Sequence, residues 1–213
     1  LKNPEEMPHY VFYEMGRNFY TFGDRHSCFI TGFAVFMRYV CMDTLQLQDD
    51  DKGTRDVIEK AESLINKSDL SFLKMFTNAD GLDEKASRLK NASGKPLNPS
   101  DQPVTYASAM LRLYRENGGN EWLHRFFHAL AQCLKANPKE RAGALQQSWN
   151  WYLAASLAAH KDLSPVFVDQ WHLPLSPVTR EALTKVEWKD TNLTPAKLKE
   201  VLEPVWLSDK GVF

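Results

Sequence analysis

Glu14 sits between Tyr13 and Arg17, two side chains four residues apart in the run Tyr-Glu-Met-Gly-Arg. On a helix, positions i and i+4 share one face. With histidines at both ends, that spacing holds zinc, and the intervening glutamate takes a proton from zinc-bound water. Here a phenol and a guanidinium stand in the histidine positions. A tyrosine ligates zinc only as a phenolate, against an ordinary pKa of about 10. Arginine brings a fixed positive charge and no lone pair, so it repels a dication. Without a metal, Glu14 and Arg17 have the spacing of an intrahelical ion pair.

Other ligating side chains lie near this run. His9 is one turn before Tyr13, and His26 and Asp24 follow it in sequence. A shifted metal site built on His9 and His26, with Glu14 as general base, is the catalytic alternative. Further along, His124 and His128 form an i,i+4 pair, but no glutamate separates them and no third ligand is identifiable. At about 100° per residue, Trp122, Phe126, Ala129, Leu130 and Cys133 share an apolar stripe, and both histidines fall opposite it, toward water. Cys28, Cys41 and Cys133 make neither a metal-binding spacing nor a disulfide framework. Nucleophile elbows, phosphate loops and dinucleotide fingerprints are absent, and no cofactor is implied.

The elements that must carry these residues are helical almost throughout. Pro4 or Pro8 opens a first helix running to a break near Gly23. Ser27 caps a second over residues 28–45, apolar nearly all round and therefore central in the core. Residues 49–65 form a solvated, charge-alternating helix, and a short one ends at Phe76. Residues 78–103, rich in Gly, Pro, Asn, Asp and Ser, read as a long loop with a helical turn around residues 84–89. Helices follow at about 104–117, 120–136, 139–160 and 176–186, with shorter ones near 163–171 and 195–204. No strand is expected, so the class is all-α. The chain is read as a single domain over residues 1–213, with a short appendage from about residue 187. Trp122 and Trp149 sit at core spacing, whereas Trp171, in a proline-rich turn, is the candidate exposed aromatic.

Two stretches resemble a known family. Residues 9–40 are similar to the two active-site helices of gluzincin-type zinc metallopeptidases. YEMGRNF matches the H-E-[LM]-G-H-N-F form of the first helix, and ITGFAVFMRYV the E-G-F-A segment of the second. Near the other end, KDLSPVFVDQWHLPLSP, from Lys161 to Pro177, is similar to the closing phrase of such domains. The resemblance implies the helical half of a peptidase domain, with Tyr13 and Arg17 in place of the zinc histidines and Thr31 in place of the glutamate ligand. Glu14 alone keeps its identity. Only 13 residues lie between Arg17 and Thr31, a shorter connection than the family's, and no β-rich segment precedes the helices.

The expected function is that of a metallopeptidase-like domain that has lost zinc and serves in binding or as a scaffold. Tyr13, Glu14, Arg17 and Thr31 would line the inherited cleft, which takes a peptide or a glycan, and Trp171 is a further candidate binding residue. An unrelated helical interaction module is the remaining alternative. Composition agrees with a globular chain: 43% hydrophobic and 25% charged over 213 residues. A net charge of −1 gives no reason to invoke nucleic acid or an anionic membrane surface. Arg38 and Asp43 interrupt the longest apolar run, so no membrane insertion is expected. Sequons at Asn66, Asn91 and Asn192 point toward a secreted or cell-surface chain without fixing the compartment. The chain opens on Leu1, which points to a processed or excerpted chain with a segment removed upstream.

Overall fold

A computed structural model describes residues 6–20, 28–65, 72–76, 102–133, 141–199 and 202. The protein is mostly helical, as the periodicity requires. The chain divides into two compact units, Leu1–Arg112 and Leu113–Phe213, the division falling inside one helix.

In the first unit, α1 spans His9–Phe19. Pro8 precedes its first residue at φ −58°, where a missing N–H costs nothing. Phe12, Gly16 and Tyr20 are buried, a four-residue stripe facing α2, Cys28–Thr44. The two helices approach closely at Gly16. A Cβ there would stand 3.0 Å from the Met37 Cβ and 3.1 Å from the Ala34 Cα. The opposite side of α2 meets α5, Gln102–Glu116: Phe29 packs edge-on to Tyr106 at 5.2 Å. A helix flanked on two sides is apolar all round, which explains its composition. At its end Gln46 takes φ 55° and the Leu47 N–H donates to the Met42 carbonyl at 2.9 Å, a left-handed stop.

That stop turns the chain into β2, Gln48–Asp49, which pairs in parallel with β1, Glu6–Met7. No strand was expected, because two residues are too short to show a period. Next comes α3, Lys52–Ile65, largely exposed but burying Ile58 and Ala61, and its Ile58 carbonyl accepts from the Ser108 hydroxyl of α5. α4, Phe72–Phe76, buries Phe72, Met75 and Phe76 completely. α5 begins at Gln102, so the long loop read over residues 78–103 ends earlier than expected, with Pro103 in the first helical turn. The remainder of that loop and its helical turn lie outside the described residues.

In the second unit, Gly118 and Gly119 take φ 106° and 61° and separate α5 from α6, Asn120–Gln132. Trp122, Phe126, Ala129 and Leu130 form the buried stripe of α6. It packs on α7, Arg141–Ala159, through hydrogen bonds from Trp122 Nε1 to the Ala155 carbonyl (3.3 Å) and from Arg125 Nε to the Ala158 carbonyl (2.9 Å). Residues Pro165–Gln170 form a π-type turn, closed by the Trp171 N–H on the Val166 carbonyl at 3.0 Å. α8, Pro177–Thr184, is capped by the Ser176 hydroxyl, which accepts from the Thr179 N–H. Beyond it Trp188 is buried edge-on to Tyr152, and residues 195–199 are helical with Leu198 buried. No described helix is long and apolar enough to cross a membrane.

Gly32 tests the packing of α2 on α5. A Cβ there would lie 2.6 Å from the Tyr106 ring and 2.7 Å from the Pro103 carbonyl oxygen. Gly32→Ala is expected to lower stability by about 1–3 kcal/mol in urea unfolding. Gly53→Ala, whose added Cβ meets nothing closer than 3.7 Å, should leave it unchanged or raise it.

Candidate functional site

α1 positions Tyr13, Glu14 and Arg17, and its geometry decides what they do. With Phe12 facing the core, Glu14 lies about 160° around the helix. Glu14 and Arg17 are accordingly exposed and Tyr13 half-buried. The ion pair expected between Glu14 and Arg17 is not made among the described residues. Two long, fully solvated side chains gain too little from one another to be held in one geometry. Thr31 is on α2, half-buried, but at another level. Gly16 lies over Ala34 and Met37, and the Tyr20 ring is 5.3 Å from Phe33, so the helices run antiparallel. Thr31 is therefore level with the end of α1, about 10 Å along the axis from Tyr13. The structure brings Tyr13, Glu14 and Arg17 to one helix and sets Thr31 apart from them. Around them α1 exposes Tyr10, Met15 and Phe19, at 59, 51 and 72%.

His9 is drawn into a different group. Its backbone N–H and its Nδ1 both reach the Asp50 carboxylate, at 3.0 and 2.8 Å. Burial raises the Asp50 carboxyl, but the His9 N–H, ring hydrogen bond and charge outweigh it and hold it below its ordinary range. The stability this pair adds is present above the unfolded carboxyl's pKa and is lost as pH falls through the lowered value. At 42% exposure of Asp50 water screens it, so the contribution is small.

Behind Asp50 lies Asp49, whose side chain is 2% exposed. Arg38, 5% exposed, holds it with two bonds, Nε to Oδ2 at 3.2 Å and Nη2 to Oδ1 at 2.5 Å. Asp49 Oδ1 also accepts from the Asp51 N–H at 2.9 Å, and Arg55 comes within 3.8 Å of Oδ2. Arg55 in turn pairs with Asp43 and stacks 4.1 Å over the Tyr39 ring, while the Tyr39 hydroxyl donates to Glu59.

His9, Asp49 and Asp50 can bring one ligand atom each within 4.8 Å of one another, the spacing a metal ion would need. The donor set does not fit one. Both Asp49 oxygens are already held, and two guanidiniums beside it neutralise the charge a cation requires. Glu14, moreover, points about 140° away from His9 around α1, so it cannot act as base for a metal there. His26, the other member of the shifted set, lies outside the described residues. Arg38 and the Asp49–Asp51 run carried the signal for this network: a lone charge within an apolar helix needs a buried partner.

Trp171 requires a correction. Read as an exposed aromatic, it is fully buried, stacked on Trp151 at 5.5 Å and edge-on to Phe167 at 4.8 Å. The wide π turn folds the ring back against Trp151 of α7, which buries it. Trp122 and Trp149 are buried as their spacing requires, and His124 and His128 are exposed. Cys133, half-buried, has its thiol pushed up to about 12 by burial, which keeps it protonated and unreactive. Family models, curated proteins and solved structures were all searched with this chain, and none matches it.

Removing one partner of the Arg38–Asp49 pair strands a buried charge. Arg38→Ala is expected to cost about 3–5 kcal/mol in urea unfolding, toward the lower figure because Arg55 partly compensates. The double variant Arg38→Met, Asp49→Leu should recover most of that loss. Equal destabilisation by the single and double variants would show that the pair is not what holds this region.

Proposed function

We propose that the chain is a helical binding domain of gluzincin-like ancestry that works without zinc, with the outward face of α1 as its contact surface. One observation carries the reading: α1 leaves Tyr10, Met15 and Phe19 in water beside Glu14 and Arg17. A helix that buries one stripe on α2 and still exposes large apolar side chains has surface to spend on a partner. The chemistry that fits is a peptide segment. Met15 and Phe19, four apart, accept apolar side chains, and Glu14 and Arg17 offer one charge of each sign. Trp171, the candidate exposed aromatic, is buried and offers no ring to a partner.

The ancestry is supported by the order of the two matched stretches and by the close packing of α1 on α2. Absence of catalysis is supported by side-chain identity: tyrosine and arginine in the ligand positions, and threonine about two turns away along the axis. The rival catalytic reading has the grouping of His9, Asp49 and Asp50 in its favour. Against it stands Asp49, which Arg38 already neutralises.

A peptide library selected on the full chain should yield ligands whose affinity falls about tenfold or more in Met15→Ser, Phe19→Ser, as for apolar anchors at an interface. Both positions are exposed, so the thermal midpoint should not move. Zinc analysis and a peptidase panel on wild type and Glu14→Gln decide the rival. Stoichiometric zinc with cleavage that vanishes in Glu14→Gln would overturn the binding reading.

A further inference from the structure

We propose that the second unit holds a site for a small organic anion, built by His124, Arg125, His128 and His160. The sequence offered the first and third as an i,i+4 pair with nothing opposite them. The fold supplies the opposite wall. His160 ends α7, and the segment carrying Thr191 and Thr194 closes the other side of a cleft of about 330 Å³. That is the small end of the range for ligand pockets, about 300–1,000 Å³.

The charge of the lining selects the ligand. Three imidazoles and one guanidinium face the cleft, and no Asp, Glu or Lys lines it. The titratable or charged groups are His124, Arg125 and His128 from α6 and His160 from the end of α7, while the stretch 191–195 contributes none of the lining charge. Glu121, 4.0 Å from Arg125 Nη1, is 87% exposed and outside the lining. Leu157 and Leu193 add apolar lining to the cleft, so the ligand joins an acidic head to an apolar body. The two threonine hydroxyls add neutral donors.

Arg125 also sets the sign. Its Nε is fixed on the Ala158 carbonyl at 2.9 Å, so the guanidinium is held against the cleft. A fixed positive charge there opposes a metal dication and favours an anion. Zinc further needs donors converging on one point at about 2.0–2.1 Å. The three histidines do not gather within 4.8 Å of one another. The backbone adds an independent observation. His160 holds φ 52°, a conformation that favours glycine and costs a side-chain-bearing residue about 1–2 kcal/mol. Glycine would end α7 without that cost, yet an imidazole stands there, lining the cleft.

Benzenesulfonate, whose charge is constant between about pH 5 and 8, is a suitable probe because histidine gains its charge over that range. Calorimetric titration of the full chain should show saturable binding, about fivefold or more tighter near pH 5.5 than near pH 7.5. Benzenesulfonamide, the neutral isostere, should bind about tenfold or more weaker. His128→Gln and His160→Asn should each reduce the pH dependence; asparagine is chosen because it tolerates positive φ. Both variants should keep the wild-type unfolding midpoint. Absent binding, equal affinity for the neutral isostere, or a pH dependence untouched by both variants overturns the proposal. Stoichiometric Zn²⁺ binding near pH 7.5 that is lost in His128→Gln overturns it in favour of a metal site.

Discussion

Arg38 is a guanidinium buried within the mostly apolar α2, and a buried charge has to be neutralised where it stands. In the first unit that requirement organises the chain around it. Asp49 meets the guanidinium only if the chain turns sharply after α2, which the left-handed Gln46 accomplishes. The turn places Gln48 and Asp49 in register with Glu6 and Met7, and the pairing brings the start of α1 beside Asp50. Arg55 of α3 then reaches Asp43 and Asp49 together. The start of α1, α2 and the start of α3 thus converge on two neighbouring carboxylates, Asp49 held by Arg38 and Arg55 and Asp50 held by His9. Buried ion pairs contribute little net stability compared with apolar packing, but they penalise every arrangement that separates the partners. The pair acts here as a register device.

The second unit uses a single acid differently. Asp162 accepts from the Tyr152 hydroxyl at 2.6 Å and from the Ser164 N–H and hydroxyl at 2.7 and 2.8 Å. Burial, and then the Asp162 charge, raise the Tyr152 phenol, which keeps it a donor at any pH the protein meets. These bonds tie the start of the π turn to the middle of α7. The turn in turn seats Phe167 and Trp171 against Trp151. Polar groups set the path and aromatic rings supply the buried area, a division of labour common to both units.

Helices were legible because their apolar positions repeat: α2, α6 and α7 fall within a few residues of where periodicity puts them. A helix start was legible where a specific residue type was required, as at Pro8. Two things were hidden for the same reason. The exposure of Trp171 was misjudged because prolines around a tryptophan announce a turn without saying which way the ring faces. The His9–Asp50 contact joins residues 41 apart, and only the β1–β2 pairing brings them together. Periodicity reports on one element at a time, whereas both outcomes depended on how two elements meet.

The same limit explains why two i,i+4 pairs of similar promise came to opposite ends. Tyr13 and Arg17 have the i,i+4 spacing of a zinc-binding pair, and Thr31, on the neighbouring helix, lies about 10 Å from Tyr13 along the axis. His124 and His128 looked like an isolated pair on a solvated face, with no third ligand in view. Yet α7 ends so that His160 stands across from them, and the stretch 191–195 closes the other side. Spacing along one helix fixes which side chains share a face. A site exists only when a second element sets its own groups opposite that face at the right height. On α1 the supporting helix passes beneath the pair, and on α6 the supporting segments rise around it.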